Sequence, residues 1–366
     1  MGGIEMYINK LVCKIENKYD ITILTTDMGG KQDNNVCKTF YFKAFPILMR
    51  NPFSFGLIRH LLNNKYEIMH LHNIWFFPCI EAAILKRDSK IVTTIHGAWP
   101  AKATFLTKIA LYLYKPFAQL ILTRSDIIIV LSVAEKNRLE KMFYIKSDKI
   151  YVITNGIFPE DVDNSKMKSV ISKYKLYNKK IVLFTGRAIP DKNPDLLLET
   201  FPKVKSYIDD VIYIIAGPID NNYRIFLNKI INKYKMEDCC IIAGEVERDE
   251  LIALYKIASI FISIGSWEGL PTRLLEAMYQ ECSPIVYDFG GMTDVITNKL
   301  NGIIINKLEP GILAENIIML LSDNELRKNI ATNARKTVSN KHVWDRSVEK
   351  IDDLYLMATK NIYRKY

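Results

Sequence analysis

Short apolar runs rich in isoleucine and valine recur along almost the whole chain. The first series is Ile21–Thr25, Ile68–Leu71, Ile91–Ile95, Ile127–Leu131 and Tyr151–Ile153. The second is Ile181–Phe184, Val211–Ala216, Cys240–Ala243, Ile260–Ile264, Pro284–Tyr287 and Ile303–Ile305. These runs lack polar alternation, as strands covered on both faces do. Between them lie segments with helical spacing, such as Phe53–Leu62, Asp195–Tyr207, Arg248–Lys256 and Thr272–Tyr279. Such alternation of strand and helix predicts α/β architecture with parallel, doubly wound sheets.

The alternation breaks at TNGIFPEDVDN, residues 154–164, where Asn-Gly, a proline and several acids give turn and linker chemistry. This predicts two domains, 1–158 and 159–341, as suits a chain of 366 residues. Asp161 and Asp163 have the spacing of a paired-acid metal site, but beside Asn164 and Ser165 in a linker they read as solvated loop. A last amphipathic helical pattern, Trp344–Met357, has no strand before it that would extend the second sheet.

Composition narrows the class. Apolar residues at 49% and charged residues at 25% are ordinary for a globular chain. No apolar run reaches the roughly 20 residues a membrane span needs. The nearest, Phe105–Leu122, is interrupted by Lys108, Lys115 and Pro116. With no basic-then-apolar leader, a cytoplasmic location is expected, possible contact with the inner membrane face aside. The six cysteines form no CxxC pair and read as reduced structural thiols.

Of the net charge of +10, residues 1–150 carry +9, with 21 Lys+Arg against 12 Asp+Glu. No zinc-ligand spacing or helix-turn-helix pattern accompanies it, so nucleic acid is not an expected partner. Two readings stay open: a Lys-rich soluble surface, or a face for an anionic membrane or acidic substrate. Trp99, Phe105, Tyr112, Tyr114 and Phe117, interleaved with Lys102, Lys108 and Lys115, fit a membrane surface or a core helix with a basic edge.

The strongest chemical signal is SWEGLPTRLLEAM, residues 266–278. An apolar strand runs into the turn Gly269-Leu270-Pro271 and then into a helix starting at Thr272. A helix amino terminus after a strand end binds anions in doubly wound sheets, and Pro271 suits that start. Glu276 can accept hydrogen bonds from a diol such as ribose. Glu268 can do so for sugar hydroxyls, or stabilise positive charge on a reacting carbon. The second signal is LFTGRAIPDKNPDLLLE, residues 183–199, in which a strand ends at Gly186 and is followed by Arg187 and Lys192. Cations at a strand's carboxyl end suit phosphate. They can take the part Mg²⁺ plays elsewhere, so no metal and no cofactor is expected.

These two motifs resemble those of the retaining glycosyltransferase family 4 (glycosyl transferases group 1), of GT-B fold. The resemblance rests on Glu268 and Glu276 eight residues apart and on Arg187 with Lys192. IAGPID (215–220, with Gly217), GEVERDEL (244–251), TNGI (154–157) and FGGMTDVI (289–296) extend it over nearly the whole chain. It implies two Rossmann-like domains facing a central cleft, the first for the acceptor and the second for a nucleotide-sugar donor. It also implies that a C-terminal helix, 342–366, returns to the first domain.

By the same resemblance, Gly2 and Gly3 ahead of a helix Ile4–Lys14 contact the diphosphate, and His96 of TTIHG contacts the donor sugar. The family's strand before such a Gly-Gly turn is missing here, which points to a misassigned start or a first sheet short of one strand. His70 and His72 of IMHLHN either line the acceptor side, with Asn73 and Trp99, or pack at a strand end; His60 and His342 read as packing residues. Expected catalytic residues are thus Glu268, His96, Arg187 and Lys192. Those expected to bind donor are Gly2, Gly3, Gly186, Gly217, Gly269, Leu270, Pro271, Thr272 and Glu276, with Arg187, Lys192 and Glu268.

The expected activity is retaining, metal-independent transfer from a nucleotide diphosphate sugar, UDP-linked by preference and GDP-linked as the alternative. The acceptor is a glycan or lipid-linked glycan, in surface polysaccharide or lipopolysaccharide biosynthesis by family analogy. The rivals are a nucleotide-sugar epimerase and a weakly active nucleotide-sugar-binding scaffold.

Overall fold

A computed structural model of the chain describes residues 3–29, 37–47, 51–97, 105–265 and 270–363. The chain divides into two compact units, 1–154 with 345–366, and 155–344. The division falls after Thr154, whereas the linker composition had suggested 158. Backbone pairing accounts for the difference. Ile157 N donates to His342 O and Trp344 N to Ile157 O, both at 2.9 Å, so residues just after Thr154 are stitched to the end of the second unit. Gly156 allows this approach, since a Cβ there would lie 2.5 Å from the Trp344 backbone.

The first unit begins with α1 (Gly3–Ile15), β1 (Thr22–Thr26), β2 (Lys38–Phe42), the short β3 (Phe45–Pro46) and β4 (Pro52–Phe53), and α2 (Phe55–Asn63). It continues β5 (Ile68–His72), α3 (Phe77–Ile84), β6 (Lys90–Ile95), α4 (Phe105–Arg124), β7 (Ile127–Val130), α5 (Val133–Met142) and β8 (Ile150–Val152). β5 to β8 form a four-stranded sheet in sequence order, all parallel, and β1 and β2 pair separately. The sequence had not suggested β2. Its aromatic positions pack locally, Phe40 and Phe42 lying against His60 of α2.

The second unit runs α6 (Asn164–Lys173), β9 (Lys180–Thr185), α7 (Pro194–Glu199), α8 (Phe201–Lys205), β10 (Val211–Ala216), α9 (Asn221–Lys233) and β11 (Cys240–Gly244). Then come α10 (Arg248–Ile257), β12 (Ile260–Ser263), α11 (Thr272–Tyr279), β13 (Ser283–Tyr287), β14 (Ile303–Ile305), α12 (Pro310–Ser322) and α13 (Asn324–Lys341). The six strands are all parallel, in the order β11-β10-β9-β12-β13-β14. Alternate residues feed two cores: Val182, Phe184, Tyr213 and Ile215 on one face, Ile181, Leu183, Ile212 and Ile214 on the other. Apolar side chains on both faces are the reason these strands read as unbroken apolar runs.

The single helix expected over Asp195–Tyr207 is two, α7 and α8. Pro202 cannot donate a backbone hydrogen bond, and the Thr200 hydroxyl turns back onto Leu197 O at 2.7 Å. Asp163 caps α6, accepting from Ser165 N, and Asp161 lies 3.8 Å from Arg335, so the paired acids have structural partners.

The last helix, α14 (Trp344–Tyr363), contributes to the first unit from Asp345 on. Val348, Ile351, Leu354, Tyr355 and Ala358 are buried at helical spacing. Polar contacts reinforce them: Lys14–Asp345 at 2.5 Å, Lys18–Asp352 at 2.7 Å, Tyr19 with Asp352, and Ser347 Oγ to Thr154 O at 2.9 Å.

Candidate functional site

The strand order of the second unit reverses between β9 and β12. In open α/β sheets ligands sit outside the carboxyl ends of the strands at such a switch point. The expected donor-side residues of this unit that are described follow three strands there. Gly186, Arg187 and Lys192 come after β9, Gly217 after β10, and Leu270, Pro271, Thr272 and Glu276 after β12. Asn193 Nδ2 donates to Ile264 O at 2.7 Å and ties the loops after β9 and β12 together.

The two glycines are required by geometry. Gly186 has φ +105° and Gly217 φ +140°. Gly186 N donates to Ala216 O at 2.8 Å and Gly217 N to Gly244 O at 2.6 Å, so the chain peels off three neighbouring strands in register. A Cβ on Gly217 would lie 2.2 Å from Gly186 O, and one on Gly186 would lie 1.5 Å from Nη1 of Arg273. The Arg273 guanidinium therefore rests directly on Gly186. Arg187 is exposed and Lys192 half-buried on the same loop.

Glu276 lies inside α11, 7% exposed. Its Oε1 accepts from Arg248 Nη1 at 2.8 Å. Arg248 also forks onto Glu160, Nε to Oε2 at 3.0 Å and Nη2 to Oε1 at 3.1 Å. Below the site the Tyr255 and Thr185 hydroxyls meet at 2.9 Å. Burial, with the Glu276 charge second, holds the Tyr255 phenol well above its usual range, so it stays protonated.

Arg273 and Arg248 were given no role from the sequence. The available signal was a cation in the first turn of α11 and another opening α10, each opposed by the helix dipole and so in need of a negative partner. Glu268 and Gly269 lie outside the described residues, as do Gly2 and Trp99. Gly3 is the first residue of α1.

In the first unit three histidines from β5 and the end of β6 stack in a row. His70 and His72 have ring centroids 4.3 Å apart, and His72 and His96 5.4 Å. His72 Nδ1 meets His96 Nε2 at 3.1 Å, and Tyr7 of α1 stands edge-on to His96 at 4.7 Å. His70 is enclosed by Tyr355 at 2.5 Å and Thr94 at 2.7 Å. Burial lowers all three: His70 to about 3, with repulsion from His96 second, His96 to about 4, and His72 well below its ordinary value. The row is therefore neutral at physiological pH, with imidazoles that can donate or accept a hydrogen bond. Asn73, at φ 82°, uses its side-chain oxygen to accept from Ile74 N at 2.7 Å, a turn-forming role. His60 bonds Tyr66 at 2.7 Å, and His342 is buried.

A parallel sheet of this order, with glycine turns and arginines at its switch point, places a candidate ligand site at the carboxyl ends of its strands. Comparison with known proteins fixes the class. Residues 168–337 match the family described as glycosyl transferases group 1, and residues 1–161 the family described as glycosyltransferase family 4. The chain belongs to these group 1, family 4-like glycosyltransferases and has their GT-B fold. It is 24% identical over 378 residues to the uncharacterised glycosyltransferase MJ1069 of Methanocaldococcus jannaschii, covering 97% of this chain and 95% of that one. It is 24% identical over 375 residues (94% and 90%) to the UDP-Gal:α-D-GlcNAc-diphosphoundecaprenol α-1,3-galactosyltransferase of Escherichia coli. In fold it is similar to Anabaena HepE, crystallised with UDP, at a TM-score of 0.82 and 15% identity over 96% of each chain.

Proposed function

We propose that this glycosyltransferase takes its sugar from a nucleotide diphosphate donor, UDP-linked by preference, and passes it to a glycan or lipid-linked glycan acceptor with retention at the anomeric carbon. The observation carrying this reading is the buried Glu276 carboxylate on α11, the helix whose Arg273 rests on the Gly186 turn at the sheet's switch point. A carboxylate there suits a ribose diol, and the amino end of α11 with Arg187 and Lys192 suits a diphosphate. The UDP of the HepE crystals and the UDP-galactose donor of the E. coli enzyme favour uridine.

The difficult step is departure of the nucleoside diphosphate, as negative charge grows on the leaving phosphate and the sugar becomes oxocarbenium-like. Arg187, Lys192 and the helix terminus oppose that charge, with no metal in the scheme. Glu268 and His96 are assigned to the sugar. The leaving phosphate takes the acceptor's proton during same-face attack, and no cofactor takes part.

Surface polysaccharide or lipopolysaccharide assembly at the inner membrane face is the setting we assign. α4 supports it with an exposed apolar stripe of Ile109, Tyr112, Leu113 and Phe117, in the unit that carries most of the excess charge. No described helix is long and apolar enough to cross a membrane. Co-sedimentation with anionic but not neutral vesicles tests this contact, and equal recovery from both refutes it.

The deciding assay is release of nucleoside diphosphate from UDP-, GDP- and ADP-sugars with EDTA present, with membrane extract as acceptor source. Release that survives EDTA and collapses in Glu276→Ala and Arg187→Ala is expected. Tight diphosphate binding without turnover would overturn the reading in favour of a scaffold, and release of free sugar in place of transfer would favour an epimerase.

A further inference from the structure

Glu276 does not stand alone in α11. Its Oε1 is held by Arg248 Nη1 at 2.8 Å, and the other face of that guanidinium is locked in a two-point fork on Glu160. Gln280, one turn beyond Glu276 and 3% exposed, donates from Nε2 to Glu160 O at 2.5 Å. Closed through the Glu160 backbone carbonyl, the contacts form a ring that starts at Glu276 within α11 and ends at its C-cap residue Gln280. Arg248 opens α10, whose dipole opposes a cation, while Asp249 and Glu250 beside it satisfy that dipole. The fork geometry is specific to arginine, since a lysine ammonium cannot make two parallel bonds to one carboxylate and a third to another.

We propose that Arg248 is a positioning residue for donor recognition, holding the Glu276 carboxylate in one rotamer so that it can accept from the ribose diol. This rests on the donor reading above. Glu276 has a long side chain, and fixing it before the nucleotide arrives removes an ordering cost from binding. Glu160 and Gln280 hold Arg248 in turn. The energy of the ring therefore appears as selectivity for a diol, as well as stability.

The test is isothermal titration of the full chain with UDP and 2′,3′-dideoxy-UDP, and with the matching GDP pair. Wild type should prefer the diol form. Arg248→Gln should weaken the diol nucleotide about tenfold, as expected for loss of one bond to a charged group. It should leave the dideoxy form unchanged, and in a Glu276→Gln background it should add nothing. Arg248→Lys should fall between. Glu160→Gln, whose side chain is as accessible as that of Arg248, should shift the preference the same way and serves if Arg248→Gln does not fold.

A merely structural staple would lower the melting temperature yet weaken both nucleotides equally or neither, and that result overturns the proposal. If Glu276→Gln abolishes the diol preference while the Arg248 and Glu160 variants keep it, the positioning role alone fails. If Glu276→Gln keeps the preference, or wild type binds neither diphosphate, the donor reading itself fails.

Discussion

Replacing Gly217 with alanine should damage stability and donor binding together. The residue sits at φ +140°, where an L side chain costs about 1–2 kcal/mol. Its new Cβ would lie 2.2 Å from Gly186 O and 2.6 Å from Gly186 C, both backbone atoms that cannot rotate away. Relief requires parting the two turns, which are pinned by Gly186 N to Ala216 O and Gly217 N to Gly244 O. Losing one such bond costs about 1 kcal/mol. The sum is about 2–3 kcal/mol, or roughly 4–12 °C in Tm for a unit of this size. Because the distorted turns flank the proposed phosphate site, UDP affinity should fall as well. Gly311→Ala is the control: nothing lies within 4 Å of a Cβ there, in the first turn of α12, and a gain of up to about 1 kcal/mol is expected. Calorimetry of both variants, with titration of UDP, checks the pair. A Gly217→Ala protein melting within about 2 °C of wild type would refute the geometric argument.

Other expectations follow from the first unit and the junction. Glu81 is buried on α3, accepts from Ser54 N at 2.9 Å through Oε1, and among the described residues has no partner on Oε2. Burial raises its pKa from 4.5 to about 7, with the Ser54 bond partly opposing. Stability from this group is complete below about pH 4.5 and is lost as pH rises through 7, an effect of about 3 kcal/mol. Glu81→Gln should remove that slope and stabilise the chain at pH 8, as urea titrations at pH 5 and pH 8 would show; parallel pH profiles for the two proteins would count against it. Tyr355→Phe strips the buried His70 Nδ1 of its partner and should cost about 1–2 kcal/mol in the same assay. Gly156→Ala would press a Cβ against the Trp344 backbone at 2.5 Å and break the Ile157–Val343 bridge. A loss of about 2–3 kcal/mol in urea unfolding is expected, and a neutral result would mean the junction yields easily.

Most of the frame was legible in the chain itself. All eleven apolar runs are strands or overlap one, because residues covered on both faces of a parallel sheet are apolar without interruption, and that pattern is local. The start of α11 at Thr272 was legible too, from Pro271 ahead of a helical run. So were the positions of Gly186, Gly217 and Glu276, since turn glycines and a helix acid sit at fixed offsets from strand ends. The break at Thr200 was less visible, because a proline just inside a new helix and one that ends an old helix look alike in sequence. β2 was missed because KTFYF carries no isoleucine or valine run, and none of its residues is fully buried. The sequence carries no distances between residues far apart along it. Only tertiary structure could lay Arg273 on Gly186, join Glu160, Arg248 and Glu276, or stack His70, His72 and His96. Charge partners and pKa values are set by such long-range neighbours, so the elements could be read from the chain, while the connections that tune the site came from the fold.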